Sequence, residues 1–159
     1  MSTEIVNGEI SITVPDGFHV LEVAELSKLY NDSNPDRWGM ADNDRHMVVS
    51  IFWHKNNALV SAIAGPKDAC KGTEKKLSKA MKNYGYVLEG FYQRAVCDLP
   101  GYGFRHRYKL RGEDYVSEIT LFKKGRVCYT VYCYTRVENE SANRPILSDV
   151  MDSLAFIQD

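Results

Sequence analysis

Hydrophobic positions along this chain of 159 residues fall into two periods. Ile10, Ile12 and Val14 alternate with Ser11 and Thr13, which predicts a half-buried strand, and Pro15-Asp16-Gly17 supplies turn residues before "FHVL", residues 18–21. The chain is therefore expected to open with a hairpin of these two segments. Val23, Leu26, Leu29 and Tyr30 recur at helical spacing, and the polar run "NDSNPD" ends that helix. "MVVSIFWH", residues 47–54, is dense in β-branched and aromatic side chains and reads as an interior strand. Residues 56–64 fit either period, with helix the preferred reading. A further helix is expected from Thr73 as its cap, with Leu77, Ala80, Met81 and Tyr84 inward, Gly85 at the left-handed stop, and Lys71, Lys75, Lys79 and Lys82 on a solvated face.

From residue 86 onward, strand follows strand: "YVLEGFYQRAV", "FRHRYKL", "YVSEITLF" and "RVCYTVYCYTR", with glycine-containing turns between them. This predicts an antiparallel meander. The last helix is expected to start at Asn143 with Pro145 in its first turn, and to turn Leu147, Val150, Met151 and Leu154 to one side. No repeat or linker interrupts the order, so one α+β domain over residues 1–159 is expected, an antiparallel sheet flanked by helices.

"GEISITVPDGF" resembles the strand, proline, turn and aromatic opening of the PsbP/Mog-like superfamily, and "ILSDVMDSLAFI" resembles its closing helix. The tyrosine-rich meander between them is similar in kind. The resemblance implies an antiparallel sheet sandwiched by helices and roles that are largely binding rather than catalytic. The group includes a photosystem II extrinsic subunit, a Ran-binding protein, DcrB-related lipoproteins and chaperones of secreted effectors. No functional residue of these relatives carries over to this chain.

Charge narrows the options. Twenty basic residues against 21 acidic ones leave a net charge of −1, so no global field favours nucleic acid or an anionic membrane. No apolar run reaches membrane-spanning length and "MSTEIVNGEI" lacks a secretory pattern, so a cytoplasmic protein is expected. Cys70, Cys97, Cys128 and Cys133 show no Cys-x-x-Cys spacing and read as reduced and mostly buried. The sequons at Asn31 and Asn139 read as loop sequence.

Candidate chemistry is sparse. Asp32, Asn34 and Asp36 match the first three positions of a calcium loop, but Arg37 stands where the glycine belongs and Asn43 where the glutamate belongs. Asp42, Asp44 and His46 could ligate a metal only with partners that nothing nominates, and a tight turn explains them more cheaply. Neither metal nor cofactor is implied. Cys97 at a strand end, with a histidine, is the candidate for an enzyme, although no hydrolase signature surrounds it.

The charged stretch is "GFRHRYKLRGEDYVSE", residues 103–118. A two-residue turn at Gly112-Glu113 would pair Arg111 with Asp114, Lys109 with Val116, Arg107 with Glu118 and Arg105 with Thr120. Arg105, Arg107 and Lys109 would then lie on the outer face of the sheet, and Phe104, His106, Tyr108 and Leu110 on the core face. A three-residue loop at "KKGR" would add Tyr132 to the basic face. Two readings stand side by side: a solvated strand face, or a surface of Arg105, Arg107, Lys109 and Tyr132 for an acidic protein segment. The aromatics are sent to the core, which argues against a nucleic-acid sheet reader. The expected function is a non-enzymatic protein-binding or chaperone-like module, with a small enzyme using Cys97 or a histidine in a sheet-edge pocket as the alternative.

Overall fold

A computed structural model describes residues 1–63 and 65–158. In chain order the elements are β1 (Ser2–Val6), β2 (Ile10–Val14), β3 (His19–Val20), α1 (Val23–Tyr30), β4 (Arg37–Asp42), β5 (Met47–Lys55), α2 (Ala58–Ile63) and α3 (Pro66–Ala80). There follow β6 (Val87–Val96), β7 (Leu99–Leu110), β8 (Glu113–Lys124), β9 (Val127–Arg136), α4 (Glu140–Ser153) and β10 (Ala155–Phe156). They form two sheets, β1-β2-β10 and β3-β4-β5-β9-β8-β7-β6, whose paired strands all run antiparallel. This is the expected α+β sandwich with an antiparallel sheet between helices.

The opening hairpin exists, but its strands are β1 and β2. Asn7 and Gly8 both take left-handed backbone at its turn, with φ of 52° and 67°. The expected second strand after Pro15-Asp16-Gly17 is instead β3, which leaves the small sheet to pair with β4 at the edge of the large one. Strand β4 was hidden in what the sequence presented as a turn, because Gly39 and two charged ends dilute its pattern. The ambiguous run is helical over Ala58–Ile63, and Ala64 lies outside the described residues. Helix α3 begins at Pro66 after Gly65, so Thr73 is inside it and caps nothing. Gly85, with φ of 66°, closes the short 3-10 turn that follows. Helix α4 likewise starts earlier than Asn143, which is buried and donates to the Arg45 carbonyl at 2.7 Å and to Thr135 Oγ1 at 2.8 Å.

Both faces of the large sheet are covered. On one, Met40, Val49, Ile51, Phe122, Tyr129, Val131 and Cys133 pack against Ile10, Ile12 and Val14 of the small sheet and against Val150 and Met151 of α4. Ile10 and Ile12 are wholly buried, each stabilising the fold by about 2 kcal/mol. On the other, Phe104, Ile119 and Leu121 pack beneath Cys70 and Leu77 of α3. Nearby Tyr30 of α1 stacks edge-on to Phe52, with ring centroids 5.0 Å apart.

The registers of the meander differ from expectation in an instructive way. Lys109 pairs with Asp114, Arg107 with Val116 and Arg105 with Glu118, because Arg111 and Gly112, at φ of 52° and 80°, make the two-residue turn. The slip is two residues, so each side chain keeps its expected companions on one face. Between β8 and β9 the turn is Gly125-Arg126, pairing Glu118 with Cys133 and Ile119 with Tyr132. That slip is three residues, an odd number, and it inverts the whole of β9.

Candidate functional site

The charged strand builds a site, though not an open basic surface. Arg105 and Arg107 alternate with Phe104 and His106 along β7, so both guanidinium groups point to the face that α4 crosses. Strand β6 carries a bulge between Leu88 and Gly90, and Gly90 has φ of 154°, a conformation that favours glycine. The extra residue, Glu89, reaches the same face. Its Oε2 accepts from Arg105 Nε at 2.9 Å and its Oε1 from Arg107 Nε. Glu140, the first residue of α4, accepts from Arg105 Nη2 and, at 3.0 Å, from Arg107 Nη2. Glu118 on β8 accepts from Arg105 Nη1 at 2.6 Å.

Two arginines are thus held by three glutamates drawn from three separate elements. The Arg105 side chain is only 13% exposed, so its bonds are shielded from water and stronger than surface pairs. Burial works against the charge of Glu89, but the hydrogen bonds from Arg105 and Arg107 outweigh it and hold its carboxyl below the usual range.

The cluster forms the floor of a cleft of about 810 Å³ between α4 and strands β6 to β8. Arg94 and Tyr92 of β6 and Arg144 and Ser148 of α4 line its walls. Tyr92 lies across Gly103 and shares a hydrogen bond of 2.7 Å with Thr120 Oγ1. A Cβ on Gly103 would stand 2.5 Å from the Tyr92 hydroxyl and 2.6 Å from the Ile119 carbonyl, so the glycine keeps the floor flat. Arg94 donates to Asp152 at 2.6 Å and to the Ser148 carbonyl at 3.1 Å, tying β6 to α4.

Of the four residues expected on one surface, Arg105 and Arg107 meet in this cleft. Lys109 continues their face to the end of the strand, where it lies 3.9 Å from Asp114 in solvent. Tyr132 does not join them. The inverted register turns it to the other face, where its ring meets Phe52 at 5.1 Å. The outer-face assignment is corrected too, since α4 covers the face that the sequence placed in solvent. Glu89, Glu140 and Arg144 were missed. The glycine inside "LEGF" was the available sign of a bulge, but nothing local links Glu140 to β7.

His106 behaves as expected: 2% exposed, it stacks between Tyr86 and Tyr108 with ring centroids 5.1 and 5.6 Å away. Its Nδ1 has no partner among the described residues, and burial pushes its pKa down to about 4. Tyr108 is half-buried beside it, whereas Leu110, at the end of the strand, is exposed.

The other candidates resolve into structure. Asp32 binds Arg37, whose side chain is buried beneath the Tyr30 ring, and Asn34 accepts from the Asp36 amide at 2.9 Å. Asp42 accepts from the Arg45 amide at 2.9 Å, while His46 takes φ of 59° in the same turn. Among the described residues no group of three or more His, Cys, Asp or Glu could hold a metal ion, and no helix is long and apolar enough to cross a membrane. Cys97 and Asp98 make the left-handed turn between β6 and β7, and burial raises the Cys97 thiol to about 11. Cys70 is raised to about 11 and Cys133 to about 12, also by burial. All four cysteines are free thiols.

No protein-family profile matches the chain, and no curated protein matches its sequence. Solved structures do match. The solution structure of cyanobacterial PsbP (CyanoP) from Synechocystis sp. PCC 6803 aligns with a TM-score of 0.67 at 12% identity, over 93% of this chain and 86% of that one. LpqN of Mycobacterium tuberculosis, described as involved in cell envelope biogenesis, aligns at 0.61 with 10% identity, over 94% and 83%. The Saccharomyces cerevisiae Ran-binding protein Mog1p aligns at 0.58 with 8% identity, over 97% and 95%. With its two antiparallel sheets and flanking helices, this chain has the PsbP/Mog-like fold.

Proposed function

We propose that the protein is a non-enzymatic protein-binding module that receives an acidic segment of its partner in the cleft beside α4, with Arg105 and Arg107 at the floor and Arg144 at the rim. The observation that carries this reading is the cluster itself, two guanidinium groups satisfied by three carboxylates in an open cleft. A partner carboxylate can exchange with Glu89 or Glu140 on Arg107, trading one charge-assisted bond for another and leaving no buried ion unpaired. Lys109 extends the same face for a longer segment, and Tyr132 takes no part.

The thiols support binding over thiol chemistry, because burial holds Cys70, Cys97 and Cys133 in the protonated, unreactive form. Mog1p, a Ran-binding protein, uses the same fold, which supports protein partners in general. The test is affinity capture from source cells with the native chain, an Arg144→Glu variant and a Lys79→Glu control on α3. Loss of a captured protein with Arg144→Glu alone, at an unchanged melting temperature, is the expected result. Identical capture by all three would remove the cleft from the binding role.

A further inference from the structure

We infer that the free edge of β6 accepts an extended partner segment as an eighth strand of the large sheet, and that this segment alternates acidic with apolar side chains. The inference rests on the binding role proposed above and specifies how the partner docks.

The two edges of the large sheet are built differently. β3 is two residues long and offers almost no template, whereas β6 runs ten residues and, among the described residues, has β7 as its only strand neighbour. Exposed edges are normally guarded by proline, by outward charge or by bulges along their length. β6 has no proline and no lysine, and its bulge at Leu88/Gly90 leaves the stretch from Gly90 to Val96 in regular pairing. Its two charges are drawn inward, Glu89 to the arginines of β7 and Arg94 to Asp152. What remains exposed at the edge is mostly apolar: Val87, Leu88 and Phe91 are 57%, 37% and 50% exposed, with Gln93 the polar member of the row.

Side-chain alternation then sets the chemistry of the incoming strand. Leu88 and Phe91 sit opposite His106 and Phe104, on the α3 face, so side chains entering beside them on that face are apolar. Tyr92 and Arg94 sit opposite Gly103 and Gly101, on the cleft face, where the alternate side chains of the newcomer approach α4. Arg144 there is 62% exposed, and its carboxylate neighbour Glu140, 4.0 Å away, already serves Arg105 and Arg107. Arg144 is thus the least compensated guanidinium of a cleft whose other arginines are paired with Glu89, Glu118, Glu140 and Asp152, and an acidic side chain answers it. Main-chain bonds along β6 supply affinity, and the two side-chain rows supply selection.

The test uses a fluorescent synthetic peptide of four Glu-Val repeats, read by anisotropy and by amide hydrogen exchange of the protein. The expected result is saturable binding with exchange at residues 90–96 slowed at least tenfold. A Lys-Val peptide, or a Glu-Val peptide N-methylated at alternate amides, should bind at least tenfold more weakly. A Leu88→Lys, Phe91→Lys double variant should also lose tenfold without a change in melting. No saturable binding, binding without protection of β6, or equal binding of the N-methylated peptide would overturn the inference. So would protection of β6 in the peptide-free protein that rises with concentration alongside a dimer mass, since a second copy would then fill the edge. A native partner lost with Arg144→Glu but kept by the double variant would retain the cleft and exclude strand addition. A partner kept by both would exclude the cleft role as well.

Discussion

The two faces of β7 are made by alternate residues of one strand, and they have opposite physics. On the α4 side Arg105 and Arg107 are wired to Glu89, Glu118 and Glu140 at the floor of an open cleft. On the α3 side Phe104, His106 and Tyr108 form an uncharged column of rings with Tyr86 and Tyr115. The difference lies in what covers each face. Helix α4 begins with a carboxylate at the point where it meets the sheet, and α3 presents Ala69, Cys70 and Leu77. A charged row along a strand therefore does not mark a surface; it marks a face whose cover brings countercharge.

The sharpest way to break this comparison is to remove the hub of the ionic side. Arg105→Leu strips Glu118 of its guanidinium and leaves Glu89 and Glu140 to Arg107 and the rim Arg144, and it should cost about 4 kcal/mol by urea unfolding. A cost below 1 kcal/mol would mean that the cluster is ordinary surface.

The aromatic side is tested next, by pH. His106 has a folded pKa of about 4, below its ordinary 6.5, so the unfolded chain takes up the proton first. The stability from keeping it neutral is complete above pH 6.5 and is lost as pH falls toward 4, a loss of about 3 kcal/mol. His106→Phe should abolish that slope. In the variant the decline should begin only below pH 4.5, the ordinary value for a glutamate, because Glu89 has a depressed pKa whose contribution is lost as it protonates. Denaturant midpoints from pH 7 to pH 4 measure both, and a slope shared by the two proteins would show that His106 is not the titrating group.

Gly103→Ala probes the seam between the faces and should cost about 2 kcal/mol, since the new methyl displaces Tyr92 from Thr120 and presses on the β8 backbone. A crystal structure of the variant with Tyr92 unmoved would contradict this. The smallest effect belongs to Lys109→Glu, below about 0.5 kcal/mol by thermal melting, because its partner lies 3.9 Å away in solvent.

Much of this architecture was legible from residue type and spacing. The meander, α1, β5 and the helical closure follow from periodicity that packing then obeyed. The register of β7 on β8 was read two residues out, yet the faces survived, because an even slip preserves alternation. The register of β8 on β9 failed by three. Gly125 occupies the first position of a two-residue turn, not the last of a longer loop, and this single difference carried Tyr132 to the wrong side. The cleft was legible only in half. Arg105 and Arg107 announce themselves locally, but Glu140 lies 35 and 33 residues away from them, and only the path of α4 brings it there. Strand β1 and strand β4 escaped notice because each is short and carries polar or glycine positions that mimic a turn.

The small sheet has a consequence for how the molecule is made. Strand β10 joins β2 through Ala155 opposite Ser11 and Phe156 opposite Ile10, a contact that spans almost the whole chain. Closing so long a loop carries an entropic cost that the local β1–β2 hairpin does not, so the joining of β10 is expected among the last steps of assembly. On the ribosome β2 precedes both α4 and β10, so Ile10, Ile12 and Val14 wait for α4 to pack on them and the edge of β2 waits for β10 to join it. Refolding rates of chains truncated before Ala155 would time that wait.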